Sequence, residues 1–485
     1  MARILFIESG LRNEKLGIMY LSAALKQAGH ETLLCWIERE DIRETIASFG
    51  PDYLAVSLTT GSHRVLLSLA ADLKKEYRLP VIAGGPHATF FPEGIANDAA
   101  DFVVIGQGEK AIVDIVEKRV TTRQVQYELV DLNTLPFPDR EIFYRFPEFG
   151  DNPMKNVITC RDCPYSCSYC YNHTWKGKFQ SQRHFLQKRS VDNVLEEITE
   201  LRKRYTLEQP LFIDDNFLLN REWVEEFCAK YPGAVGLPFL CSFSLNLLDE
   251  KLLLLLKDAG LFMVNFALES ADPAVQRDIL KRGHIKNEQI VEAVRLLKKH
   301  RIKTRMQNMI GLPVQDALAD ALNTLAFNKK NNVNDSWVSI FQPYPNTRLA
   351  EYCAQNGYLG VTGENYAESF FDRSCLNITN ADEIKRLQKW WYFIIRYKMS
   401  EETTSLLLSL ELDTSQTDAL QALRFEFSKK YLYNLPADTD SLRHNWRAIE
   451  SRHRDKPGFA FFMPMIRRYK FCNGLADVLM EMPHA

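Results

Sequence analysis

Two series of short apolar runs, most followed by a longer segment with apolar residues at helical spacing, occupy most of the chain. In the first series the runs fall at residues 4–7, 54–58, 81–83 and 102–105. Between the first two, residues 16–28 place apolar side chains every three or four positions and stop at Gly29, where a helix commonly ends. The second series predicts strands at 156–159, 211–213, 239–243, 262–267, 305–310 and 337–341, with helices at 191–205, 221–230, 249–259, 287–300 and 316–328. Alternation of this kind predicts an α/β protein with parallel sheets: a doubly wound, Rossmann-like first domain, then a partial (β/α)6 version of the eight-fold barrel. Both architectures gather functional groups at the carboxyl ends of their strands.

Breaks in the pattern suggest the domain limits. LPFPDR at 135–140 fixes two backbone dihedrals and removes two donors, so neither a helix nor a central strand crosses it. Residues 119–155 therefore read as a linker between a first domain at 1–118 and a barrel at 156–352. From 353 to 485 the pattern turns mostly helical, with aromatic-rich 381–400, then 418–433, then a basic and aromatic stretch at 459–471. That region is expected to close the open side of the barrel. Its aromatic residues suit either a large apolar substrate or a core, and Arg467, Arg468 and Lys470 either an anionic substrate or a solvated face.

Composition narrows the class. A chain of 485 residues is too long for one core, and 46% hydrophobic with 25% charged residues reads as globular. A net charge of -2 gives no nucleic-acid footprint. The apolar runs 252–256 and 390–395 end well short of the ~20 residues that span a bilayer, so no transmembrane segment is expected. MARILFI at the start reads as a buried strand rather than a cleavable signal, which points to the cytoplasm and to reduced cysteines. Cys35, Cys228, Cys241, Cys353, Cys375 and Cys472 are scattered singly and read as ordinary thiols.

The remaining cysteines are not scattered. Cys163, Cys167 and Cys170 stand in CPYSCSYC directly after the strand-like run at 156–159, with Cys160 three residues earlier. Structural zinc usually sits on two knuckles separated by a loop of roughly a dozen or more residues, unlike this spacing. Three thiolates on one tight loop can hold three irons of a four-iron cluster and leave the fourth open for chemistry. The first domain's candidate loops are also distinctive: Thr59, Thr60, Gly61 and Ser62, then GGPHAT at 84–89, then GQGE at 106–109. Each puts glycine or a small hydroxyl where a large ligand could approach the backbone, or where the chain simply turns.

The segment LGIMYL at 16–21, with GGPHAT and GQGE, resembles the cobalamin-binding domain of cobalamin-dependent radical S-adenosylmethionine (SAM) enzymes. CPYSCSYC matches the radical SAM signature with Tyr169 at its aromatic position, followed in order by FIDDNF at 212–217, FALES at 266–270, MIGLP at 309–313 and FQPYPNT at 341–347. The resemblance implies a 4Fe-4S cluster on Cys163, Cys167 and Cys170, with Cys160 a neighbour rather than a fourth ligand. It implies cobalamin near Leu16, Gly17, Thr59, Thr60, Gly84, Gly85, Pro86, His87, Gly106, Gly108 and Glu109, and SAM near Tyr169, Asp214, Asp215, Glu269, Gly311, Phe341 and Gln342. In place of the cobalt-ligating histidine motif of methionine-synthase-type domains the chain has ESGLRN at 8–13, and His63 and His87 read as packing or hydrogen-bonding residues.

Alternatives accompany several of these roles. Glu269 would reach SAM or form a structural ion pair, Asp214 or Asp215 would line the pocket or cap a helix, and Gly311 and Phe341 to Tyr344 would contact adenosine or pack. The implied reaction is methylation of an unactivated carbon in a small-molecule substrate: SAM serves once to methylate reduced cobalt and once to give a 5'-deoxyadenosyl radical. An external electron donor such as flavodoxin or ferredoxin is implied as partner. Ring formation or rearrangement, as in tetrapyrrole cyclases, is the second reading, and a non-catalytic cobalamin sensor the third. The sensor reading predicts a damaged triad, and this triad is intact.

Overall fold

The computed structural model describes residues 1–11, 13–359, 366, 367, 369–433 and 435. The stretch 459–471, with Arg467, Arg468 and Lys470, lies outside the described residues, as does Cys472. The chain forms two compact units, Met1–Phe262 with Leu280–Arg282 and Pro343–Gln355, and Met263–Ile279 with Gly283–Gln342 and Asn356–Ala485.

The first unit opens with a parallel sheet of β1 (Arg3–Glu8), β2 (Glu31–Trp36), β3 (Tyr53–Ser57), β4 (Val81–Gly84), β5 (Phe102–Ile105) and β6 (Gln124–Gln126), in the order β2-β1-β3-β4-β5-β6. Leu5 on β1 faces Leu33 on one side and Leu54 on the other. Leu5, Ile7, Leu54, Val56, Val81 and Val103 are buried with Leu66, Ala70 and Leu73 of the helix His63–Tyr77. Each large aliphatic side chain buried this way contributes roughly 1.5–3 kcal/mol. Strand order reverses on the two sides of β1, so a crevice is expected at the carboxyl ends of β1 and β3.

Two of these strands are additional to the four expected: β2, apolar from Leu33 to Trp36, and β6, with a single buried position among three. The stretch expected as a linker thus extends the first sheet through β6, with Val104 opposite Val125. Its later part is anchored as well, since Arg140 is buried and donates to Glu197 Oε1 at 2.7 Å and to the Asn156 carbonyl at 2.8 Å. Arg189, also buried, bonds the other oxygen of Glu197. Removing one member of such a buried set leaves an uncompensated charge and costs about 3–5 kcal/mol.

The second strand series supplies the partial barrel. In the first unit β7 (Met154–Val157), β8 (Gln209–Phe212) and β9 (Phe239–Ser242) pair in parallel, Asn156 opposite Leu211 and Leu211 opposite Leu240. β10 (Leu261–Glu269) continues into the second unit, where β10, β11 (Lys303–Ile310) and β12 (Asp335–Ile340) pair in parallel with a bulge between Ala267 and Glu269. The aromatic-rich 381–400 is a helix, Ala381–Arg396, followed by another, Glu401–Ser409. The break falls where Lys398 takes a left-handed φ of 49° and Ser400 caps the next helix. Trp390, Trp391 and Ile394 pack with Ile340, Val338 and Leu387, so this helix builds the core of the second unit. Among the described residues no helix is long and apolar enough to cross a membrane.

Candidate functional site

The cysteine loop begins where β7 ends, and a carboxylate from the next strand holds its start. Asp214 Oδ1 accepts the backbone N–H groups of Thr159 and Cys160, both at 2.7 Å, and Oδ2 accepts the Thr159 hydroxyl at 2.8 Å. Both oxygens are thereby engaged in a buried position, which makes Asp214 a loop anchor rather than a residue open to a ligand. Neither Asp214 nor Asp215 caps the following helix; Asn220 does, accepting from Trp223 N–H. Asp215 accepts from Asn172 Nδ2 at 3.0 Å, and desolvation together with the charge of Asp214 raises it to about 6.

Inside the loop the thiols are partly withdrawn from water. Burial pushes Cys163 up to about 11 and Cys170 up to about 12, and each thiolate is further disfavoured by the charge of Asp215 and then of the neighbouring cysteines. Ligation would displace these protons. Cys160 is different: buried, raised to about 12, with its N–H on Asp214 and its thiol turned to the Asp162 carbonyl at 3.7 Å. Asp162 in turn accepts Trp175 Nε1–H at 2.6 Å and Leu186 N–H at 2.7 Å. Among the described residues no three of His, Cys, Asp and Glu are grouped as a single metal ion requires. Three sulfurs that each serve a different iron of one cluster need no such common point, so the donor set fits a 4Fe-4S group.

Other segments of the first unit clamp the same loop. Ser168 N–H donates to the Leu280 carbonyl at 3.0 Å, Leu349 N–H to the Ser168 carbonyl at 2.9 Å, and Arg282 Nη1 to the Tyr169 hydroxyl at 3.0 Å. The helix Tyr171–Phe179 starts at Cys170, whose sulfur accepts Asn172 N–H at 3.5 Å.

That helix also meets the loops at the carboxyl ends of the first sheet. Tyr171 stacks on Phe90 at 4.3 Å and 4°, and its hydroxyl lies 3.0 Å from Thr60 Oγ1. Thr60 Oγ1 is also 2.9 Å from Nδ1 of buried His87, which stacks on His63 at 3.9 Å. Burial and His63 lower His87 to about 4, leaving it neutral. His63 and His87 are thus packing and hydrogen-bonding residues.

Two glycines of these loops are explained by their surroundings. At Gly85, φ +89°, an added Cβ would lie 2.9 Å from the backbone of Leu58; at Gly106, φ +86°, it would lie 3.1 Å from the Phe179 ring. Pro86 and His87 belong to a short helix, Gly85–Phe90, that starts at Gly84. Thr59 bonds Ser62 at 2.8 Å, and Leu16 and Gly17 open the helix Leu16–Gln27, Leu16 buried and Gly17 exposed. Gly108 precedes the helix Glu109–Val116. Glu109 is buried and pairs through Oε1 with Arg161 of the cysteine loop at 2.7 Å, while its Oε2 has no hydrogen-bond partner among the described residues.

The other predicted SAM residues lie in the second unit. Glu269 ends β10 at the bulge, buried, with φ 69°. A non-glycine residue in that region costs about 1–3 kcal/mol and marks functional sites more often than elsewhere. Gly311, φ +70°, faces Ile384, Ile340 and Ile378. Phe341 is 2% exposed, and its N–H bonds the Ile310 carbonyl. The Gln342 amide donates to the Arg373 carbonyl at 2.8 Å and accepts the Cys375 thiol at 2.8 Å.

Sequence reading passed over Tyr171, Arg161 and Arg282. Tyr171 adjoins the last cysteine and Arg161 lies between Cys160 and Cys163. The pairing of Arg161 with Glu109, and the relation of Arg282 to the loop, show only in the fold.

A B12 binding domain model matches residues 2–116 and a Radical SAM superfamily model residues 157–325. An uncharacterised methyltransferase of Pyrococcus horikoshii is 26% identical over 72% of this chain and 80% of its own length. The anaerobic magnesium-protoporphyrin IX monomethyl ester cyclase of Rubrivivax gelatinosus is 24% identical over 62% of this chain and 59% of its own. The solved structure of the cobalamin-dependent SAM radical enzyme OxsB shares the fold with a TM-score of 0.62 at 14% identity, covering 99% of this chain and 79% of that one. With both domains in one chain, the protein belongs to the cobalamin-dependent radical SAM enzymes, whose cofactors are a 4Fe-4S cluster, SAM and cobalamin.

Proposed function

We propose that the chain is a methyltransferase acting at an unactivated carbon of a small-molecule substrate. The observation that carries this reading is the junction of Tyr171 with Thr60 and Phe90, which joins the cysteine-bearing segment to the loops of the B12 binding domain within one unit. When bound, the cluster with SAM supplies a 5'-deoxyadenosyl radical able to take hydrogen from carbon, and cobalamin supplies the methyl group. A methyltransferase among the relatives supports the same reading.

Cys163, Cys167 and Cys170 would each hold one iron. Asp214 would shape their loop from behind, and Tyr169 would carry the Arg282 guanidinium beside it. Glu269 would present its carboxylate to the ammonium or ribose of SAM. Phe341 and Gln342, buried or engaged within the second unit, would support that wall from behind. Thr59, Thr60, Gly84, Gly85, Pro86, Gly106 and Gly108 would border cobalamin, and neutral His87 would orient Thr60 rather than bind cobalt. An external electron donor would reduce the cluster.

The test is anaerobic reconstitution followed by assay of 5'-deoxyadenosine and S-adenosylhomocysteine. Both products in step with substrate consumption support methylation; deoxyadenosine without homocysteine turns the assignment to the cyclase reading, which a cyclase among the relatives keeps in play. Substitution of Cys163, Cys167 or Cys170 by Ala should abolish the cluster and deoxyadenosine formation, whereas Cys160→Ala should retain both. Deoxyadenosine from Cys167→Ala would overturn the cluster assignment.

A further inference from the structure

In the second unit the helix Ala317–Asn331 carries polar side chains on a face that it buries. Asp320, Thr324 and Asn328 recur every fourth residue, so they share one side of the helix, and all three are buried. The inner face of such a helix is ordinarily apolar, because polar groups there must find partners. These three find theirs at one place, the end of β10 and the strand beside it. Asn328 Nδ2 donates to Asn308 Oδ1 at 2.8 Å, and Asn308 is the residue of β11 registered opposite Glu269. Thr324 Oγ1 accepts Ala271 N–H at 2.9 Å, and Asp320 Oδ1 accepts the Ser270 hydroxyl at 2.6 Å.

What they hold is a strained turn. Ser270 N–H reaches back to the Leu268 carbonyl at 3.1 Å, closing a γ-turn with Glu269 at its centre in the rare form with positive φ. Such a conformation persists only where its surroundings over-determine it. Here Asp272 N–H donates to Ser270 Oγ at 3.1 Å, Gln276 Nε2 to the Ser270 carbonyl at 2.5 Å, and Asn287 Nδ2 to the Ala271 carbonyl at 2.8 Å. Asp320 is the ionisable member of this set. Burial raises it to about 6, and its Oδ2 has no hydrogen-bond partner among the described residues. A buried carboxylate with one oxygen unmet is a poor choice for packing alone, which sets Asp320 apart from the helix's apolar positions.

We infer that Asp320 is a positioning residue for SAM: through the Ser270 hydroxyl it fixes the left-handed Glu269, and with it the direction in which that carboxylate is presented to the cofactor. The inference rests on the functional reading above, since it needs Glu269 to meet SAM.

SAM titration of the reconstituted full chain tests it, read from the change that SAM makes in the electron paramagnetic resonance spectrum of the reduced cluster. Asp320→Ala should raise the half-saturating SAM concentration about tenfold, as one lost buried hydrogen bond predicts, and Asp320→Asn, whose amide oxygen still accepts the Ser270 hydroxyl, should stay within about threefold of the parent. A side chain that only stabilised the fold would lower the melting temperature and cluster content but leave the midpoint of the folded fraction where it was. An unchanged midpoint in Asp320→Ala therefore overturns the inference, as does a midpoint in Asp320→Asn as high as in Asp320→Ala. Ser270→Ala cuts the same bond from its other end and should shift the midpoint alike, so the test holds even where Asp320→Ala does not fold. Glu269→Ala separates the two readings. If it leaves the midpoint unchanged, Glu269 does not meet SAM and that part of the functional reading fails; if it raises the midpoint while Asp320→Ala and Ser270→Ala match the parent, the positioning role alone fails.

Discussion

At the scale of single residues the site depends on side chains whose work is to hold others. Asp214 accepts three hydrogen bonds in a buried position, so Asp214→Asn, with its oxygen kept on the two amide N–H groups, turns an NH2 donor towards the Thr159 hydroxyl, which already accepts from Lys188 Nζ. The expected cost is about 1–3 kcal/mol of stability in denaturant titration, together with lower iron content after reconstitution. His87 makes a second prediction, from its depressed basicity. The unfolded imidazole binds a proton below about 6.5 and the folded one only below about 4, so this contribution to stability is present above 6.5 and is lost as pH falls from 6.5 towards 4. The loss should reach at most about 3 kcal/mol and be absent in His87→Gln, read from chemical denaturation of the metal-free chain across that window.

At the scale of elements, the helix after Cys170 is the connecting part. Tyr171→Phe keeps the stack on Phe90 and removes the hydroxyl near Thr60, which should cost about 1 kcal/mol; Tyr171→Ala should cost about 3 kcal/mol or more. Calorimetry of the apo chain separates the two. If Tyr171→Ala is neutral, the helix does not depend on the first domain's loops. Gly106→Ala must accept both a left-handed backbone and a clash with Phe179, so it should destabilise more than an ordinary surface substitution. The strand–helix alternation and the cysteine spacing were legible in the chain because each is a local periodicity. β6 was not, since it is three residues long with one apolar position, nor was β2, whose first two positions, Glu31 and Thr32, are polar. Nor was the pairing of Glu109 with Arg161, which are far apart in sequence and meet only when the loops at two sheet edges are in place.

At the scale of the whole molecule, each unit has its own core, and ligand should stabilise what it binds. Cobalamin at a hundred times its dissociation constant should raise stability by about 2.7 kcal/mol if it binds only the folded chain, an effect visible as a concentration-dependent rise in melting temperature. In the second unit Trp391 is fully buried with its N–H on Ser336 Oγ at 2.7 Å. Ser336→Ala should therefore cost about 1–3 kcal/mol by leaving a buried donor unmet. The aromatic residues of 381–400 that composition assigned equally to a cavity or a core belong, at Trp390, Trp391 and Phe393, to the core.

By itself the sequence determined the parallel α/β class, the order of the two domains and the close spacing of Cys163, Cys167 and Cys170, because alternating periods and short-range spacing are written in neighbouring residues. Tertiary structure alone decided that Asp214 anchors the loop, that Glu109 is committed to Arg161, and that Tyr171 bridges to Thr60 and Phe90. The physical reason is that a buried carboxylate or hydroxyl takes whichever donor the fold brings within hydrogen-bonding distance, and chain separation carries no record of that choice.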